Sequence, residues 1–329
     1  MNRRVALLES LLEAQYPGNP PPDLCVALDQ AVEFAVCDGR SIAEAIGAFF
    51  AEDDWGPAQK TLEEIVRPGV QFRPSALPIM PKAVSNLLRL TEDSATVDEL
   101  ERIASTDPVL AARLLAASNS ARHGSRFQIV RLREAVMRLG VLEARRALIA
   151  SSLGGLFASA TLRELWEHSQ IVADSSARIA TTCGIDPETA WLAGLLHDIG
   201  RLGFATLPAD ARIAERRWLE AGFPLVYAET LAFGNDHAGL GGELLRSWEI
   251  PDLVGDAVAM HHRPEAARSD LEAILFLAED TPVRLGLCAA EDLWLEMRRR
   301  IACERAGLEL DELREMDSSL EEGHFRAIA

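Results

Sequence analysis

Apolar residues along this chain recur at helical spacing. Val5, Leu8 and Leu12 share one face of a helix over residues 1–15. Leu132, Ala135, Val136 and Leu139 follow the i, i+3, i+4, i+7 series of a buried helical stripe. Nowhere do polar and apolar residues alternate over a length that would build a sheet. Helix ends carry their own signals. Ser41 with Glu44, and Thr96 with Glu99, are capping boxes. Asp107-Pro108 opens a helix, with Asp as cap and Pro in the first turn, and Gly140 closes one. Prolines make the breaks. Pro17 to Pro22 end the first helix, a second stretch runs from about Asp23 to Val36, and four prolines fall between Pro68 and Pro81. Each pushes the residue before it out of the helical region. The pattern predicts an all-α chain in three parts: an N-terminal helical region over 1–70, a continuous helical domain over 71–282 divided into two sub-bundles near 150–165, and an acidic helical tail over 283–329.

Composition narrows the functions open to it. Hydrophobic residues make up 48% of the chain but aromatic ones only 6%, so the core is built from Leu, Ala, Ile and Val. The net charge of −18 has the wrong sign for phosphate neutralisation and excludes broad electrostatic binding to nucleic acid. Short basic runs such as Arg298-Arg299-Arg300 read as solvated helix faces. Cys25, Cys37, Cys183, Cys288 and Cys303 are scattered and odd in number, which suits reduced thiols better than a disulfide framework. Glu9 and Glu13 interrupt the apolar N-terminal run, and no stretch approaches the roughly 20 apolar residues of a membrane span. A cytoplasmic protein with no membrane contact is expected.

The candidate chemistry lies in the histidines, most of which fall between positions 168 and 262. His168 shares a face with Leu165, Val172 and Ile179, His197-Asp198 follows Leu192, Leu195 and Leu196, and His237 shares a face with Gly241, Leu244 and Trp248. One histidine on an apolar face is ordinarily a hydrogen-bonded core residue. Several arriving from separate helices point instead to a divalent metal held by imidazole and carboxylate. An adjacent His-Asp pair adds a carboxylate able to bridge two ions.

The motifs ELWEHSQIVA (164–173), AGLLHDIGRLG (193–203), DHAGLGGELLRSWEIP (236–251) and AVAMHHRP (257–264) resemble successive landmarks of the HD superfamily. Upstream, LPIMP (77–81), STDPVLAARLLAASNSARHG (105–124) and LREAVMRLG (132–140) resemble the first half of its HDOD branch, over residues 72–282 in all. The resemblance implies a helical regulatory or scaffolding module. It also implies metal ligands at His168, His197, Asp198 and Asp280, with His237, His261 and His262 matching the further histidines of the HD-GYP phosphodiesterases. A second layer of acceptors through Asp236 or Glu167 would orient them. Two departures count against cyclic di-GMP hydrolysis: no DGxGYP-like segment follows His262, and Arg201 replaces the usual lysine. A bacterial signalling scaffold with protein partners is the expected function. The alternative is a metal-dependent phosphohydrolase in which Asp198 and Arg201 would be catalytic.

Overall fold

The computed structural model describes residues 80–90, 95–120, 128–157, 160–205, 225–281 and 295–321, with isolated positions between 207 and 219. The expected helices over 1–15 and 23–36, the Ser41–Glu44 box, Cys25, Cys37, Cys288, His123 and His324 lie outside the described residues. Among the described residues there is no strand, and the chain is all-α as expected. No described helix is long and apolar enough to cross a membrane.

Residues 78–166 form one compact unit. It contains helices α1 (Lys82–Leu88), α2 (Val97–Ala104), α3 (Pro108–Ser118), α4 (Leu132–Leu139) and α5 (Val141–Gly154). The expected start signals act as written. The Thr96 side chain accepts from Glu99 N at 3.3 Å, and Asp107 Oδ1 accepts from Val109 N at 2.7 Å. The reciprocal half of the box is spent elsewhere, since the Glu99 carboxylate pairs with Arg102 Nε at 2.9 Å. Gly140, at φ 82°, permits the sharp break between α4 and α5. Asn119 does more than end a helix: its side chain pairs with both Ile129 N (2.7 Å) and Ile129 O (2.8 Å), joining positions ten residues apart. The interior is aliphatic, with Leu87, Leu100, Ile103 and Leu114 at 0–1% exposure. Each such side chain contributes about 1.5–3 kcal/mol.

The second unit carries the histidines, and its described part starts at Glu167. The division therefore falls just past the expected interval, inside the long helix α6 (Ala160–Cys183). Helices α7 (Pro187–Leu196), α8 (Arg201–Ala205), α9 (Leu225–Phe233), α10 (His237–Ser247), α11 (Asp252–Met260) and α12 (Asp270–Glu279) follow. The acidic C-terminal stretch provides α13 (Leu295–Ala306) and α14 (Leu310–Glu321). Neither is a free tail. α13 packs along α12, and α14 meets α6 where Thr182 Oγ1 donates to Met316 Sδ at 3.4 Å.

Two glycines let the helices around the histidines close up. A Cβ on Gly194 would sit 2.7 Å from Ala173 Cα, so α7 lies directly on the backbone of α6. A Cβ on Gly200 would sit 2.1 Å from His237 O and 2.6 Å from Gly241 N, both backbone atoms that cannot rotate away. Gly200→Ala must therefore push the His-Asp turn off α10. It is expected to cost about 1–3 kcal/mol or more, as overpacking does. A melting temperature equal to that of the wild type would refute this.

Candidate metal centre

All but one of the converging histidines sit at helix ends. His197 and Asp198 follow the last residue of α7, His237 is the first residue of α10, and His261 and His262 follow α11. Glu279 closes α12, and His168 alone comes from mid-helix, in α6. Helix ends have backbone groups without intrahelical partners. His197 Nδ1–H donates to Gly194 O at 2.7 Å, and His261 Nδ1–H donates to Val258 O at 2.6 Å, each to the last turn of its own helix. Glu229 does the same for the start of α10. Its Oε2 accepts both the His237 backbone N–H (2.9 Å) and His237 Nδ1–H (2.6 Å). In all three rings the Nδ1 proton is committed outward, which leaves the Nε2 lone pair of the neutral ring facing the cluster.

These Nε2 atoms meet one another and the carboxylates. Glu279 Oε2 lies 3.0 Å from His168 Nε2 and 2.8 Å from His197 Nε2. His262 Nε2 lies 2.9 Å from His237 Nε2, and His261 meets His197 edge-on and lies tilted to His237, with ring centroids 5.2 Å and 5.4 Å away. Three triplets result, His168–His197–Glu279, His237–His261–His262 and, linking them, His197–Asp198–His261, each with donor atoms within 4.8 Å of one another. Asp198 reaches toward the first two, with Oδ1 3.2 Å from His237 Nε2 and Oδ2 3.6 Å from His197 Nε2. The same Oδ2 accepts from Arg201 Nη1 at 3.3 Å.

The site is buried. His197, His237, His261 and Asp198 are 0–3% exposed, whereas His262 is half-buried and the side chains of His168, Glu279 and Arg201 are 27%, 23% and 33% exposed. His197 Nε2 and His261 Nε2 are buried without an aligned hydrogen-bond partner. Such atoms call for a ligand. An imidazole and carboxylate set with its lone pairs turned inward fits a divalent transition ion.

Charge splits the histidines into two kinds. Burial would lower His197, but Glu279 and Asp198 override it and lift its pKa to about 9. His237 is likewise raised against burial by Glu229 and Asp198. Burial together with the neighbouring His197 and His237 drives His261 down to about 3, and burial with His261 and His237 holds His262 well below its ordinary value. Burial would raise Asp198 and Glu279, but the cations around them hold both far below the carboxylate range. At His261 and His262 burial and the neighbouring rings act in the same direction, whereas at His197 and His237 the carboxylates prevail.

An acid-side instability of the metal-free protein follows. His261 titrates near 3 when folded and near 6.5 when unfolded. Between those values the unfolded chain binds a proton that the folded one refuses, so stability falls as pH drops below about 6.5, by about 2 kcal/mol at pH 5 for this residue. His262 adds to it with the same sign. His197 acts oppositely: its stabilisation is complete below about 6.5 and is lost as pH rises through 9. Melting temperature in chelator should peak near pH 6.5, and a value still climbing from pH 6.5 to 5 would contradict it.

The structure brings His168, His197, Asp198, His237, His261 and His262 together and places Glu279 where the resemblance implied Asp280. Successive helical residues point about 100° apart, so only one of this acidic pair can face His168. Asp280 turns to α13, where Arg299 Nε and Nη2 donate to its two oxygens at 2.6 and 3.1 Å. One further expectation shifts. Asp236 caps α10 through Gly239 N at 2.7 Å, and the acceptor that orients His237 is Glu229. Reading motifs missed Glu229 because one acid in the apolar helix LVYAETLAF gives no hint of what it faces.

Comparison with known proteins agrees with this architecture. The chain is 25% identical to an HDOD domain protein of Geobacter sulfurreducens, at a TM-score of 0.63 over 80% of this chain and 96% of that one. It is 27% identical to a candidate phosphohydrolase of Shewanella amazonensis, at 0.61 over 75% and 92%. A Ribonuclease Y of Nitratiruptor is 32% identical over 114 residues, 35% of this chain. The chain spans less than half the length of the curated relatives it matches, 40% of one and 17% of that ribonuclease. The family model of the HDOD domain matches residues 77–264. With more than half of its length matched and the same helical fold in its structural neighbours, this chain belongs to the HDOD domain family.

Proposed function

We propose that this chain is a metal-holding regulatory module of bacterial signalling, in which the bound ion ties five helices of the second unit into one scaffold for protein partners. The observation that carries the reading is the depth of most of the donors. Four of the seven, His197, His237, His261 and Asp198, are 0–3% exposed, which leaves little room for the water or substrate position that a catalytic ion keeps open. His168, His197 and Glu279 would hold one ion, His237, His261 and His262 a second, and Asp198 would reach both.

A second reading rests on the edge that is open. Arg201 lies there, a third exposed, beside Asp198. Bound there, a divalent ion would supply Lewis-acid activation of water. Arg201 would balance charge on a phosphate ester, and Asp198 would accept a proton or orient the water. The Shewanella and Nitratiruptor relatives carry names of this chemistry.

Metal analysis of the purified protein, followed by turnover of bis-p-nitrophenyl phosphate, separates the two. The scaffold predicts one to two equivalents of a transition metal with no turnover above free metal. Metal-dependent turnover abolished by Asp198→Asn would replace it with the hydrolase. Protein unable to take up metal would sink both.

A further inference from the structure

The last turn of α12 is clamped from three sides by consecutive residues. Glu279 faces His168 and His197. Thr281 Oγ1 lies 2.7 Å from Ser175 Oγ of α6. Between them Asp280, which caps α12 through its own N–H to Phe276 O at 3.0 Å, is gripped by the guanidinium of Arg299. This pair is bidentate and nearly dry, the Asp280 side chain being 2% exposed and that of Arg299 12%. Helix ends fray easily, and rotation of this one by a single residue would swing Glu279 away from both imidazoles. A planar fork on a carboxylate resists that rotation better than a point charge does, because two parallel hydrogen bonds set direction as well as distance.

We propose that Arg299 is a positioning residue for the metal centre: by fixing Asp280 it sets the orientation of Glu279, which makes the C-terminal helix α13 part of the site. The inference rests on the metal-holding reading for its ion-binding consequence, while the positioning itself concerns the protein alone. Nineteen residues separate Arg299 from Asp280, so displacement of α13 by a partner would release Glu279 without touching any donor atom.

The test is a double-mutant cycle read by Co(II) titration. Arg299→Gln should weaken Co(II) binding about 10–100-fold, the usual loss for a residue that orients a ligand. In a Glu279→Gln background the same substitution should have no further effect, because its route to the metal is gone. Equal losses in both backgrounds, or none in either, would overturn the proposal. A second readout needs no metal. In imidazole carbon–proton spectra of the metal-free protein, Arg299→Gln should shift His168 and His197, which Glu279 touches, more than His261 and His262, which it does not. Uniform shifts, or none, overturn the proposal. Should wild-type protein fail to bind Co(II), the metal-holding reading falls and these spectra alone decide the role of Arg299. If Arg299→Gln does not fold, Arg299→Lys, which keeps the charge and loses the fork, carries the same comparisons with smaller expected effects.

Discussion

Asp198→Ala is expected to unfold the protein more readily as well as strip it of metal. A ligand in an open pocket would be partly solvated, and its removal would cost little beyond metal content; the sequence alone suggests that outcome. The structure reverses it. Asp198 is 3% exposed and faces His237 Nε2 at 3.2 Å, Arg201 Nη1 at 3.3 Å and His197 Nε2 at 3.6 Å. Alanine leaves these groups facing one another across a dry gap. Removing one partner of a buried ion pair costs about 3–5 kcal/mol, because the other charge remains unpaired. Arg201 reaches water along a third of its side chain, so most of that cost falls on His197 and His237. The melting temperature in chelator should drop on the order of 10 °C, and metal content should fall with it. Asp198→Asn keeps the volume and one acceptor and should lie between. An Asp198→Ala variant that melts with the wild type would show that the cluster does not hold the fold together.

The second large effect is expected at Glu229, a residue with no motif to announce it. Its Oε2 takes two donors from His237, the ring Nδ1–H and the backbone N–H, at 1% exposure. Glu229→Ala removes both bonds and frees the His237 ring to turn or to change tautomer. Loss of such an orienting acceptor lowers metal affinity about 10–100-fold. Each lost hydrogen bond to a charged group also costs about 1.5–3 kcal/mol of stability. Glu229→Gln retains a carbonyl acceptor and should recover much of the affinity. Metal titration of the two variants checks this, and an alanine variant with wild-type affinity would show that His237 is held by packing alone.

How much of this was legible in the chain differs by feature. Thr96, Asp107 and Gly140 mark helix boundaries through contacts within four residues, and local contacts can be read locally. The histidines were legible as a group for a different reason: isolated polar rings on apolar faces need partners, and several together need a common one. The choice between Glu279 and Asp280 was not legible. Both are acids at the end of one helix, and what separates them is which neighbour lies on which side, His168 and His197 for one and Arg299 for the other. Asp236 and Glu229 present the same problem, since a cap and an orienting acceptor are both single acids in sequence.

By itself, then, the amino-acid order determined an all-α chain, its helix boundaries, and a set of histidines with a His-Asp pair that must converge. Those properties follow from periodicity, capping and the cost of burying a lone polar group. Tertiary structure alone decided which carboxylates join them, which nitrogens face inward, and that the acidic C-terminal helices pack within the second unit. Each of these depends on groups brought together from distant positions. His237 finds Glu229 across a helix–helix contact, and Asp280 finds Arg299 nineteen residues away. No pattern of spacing along one helix encodes the direction in which its neighbour lies.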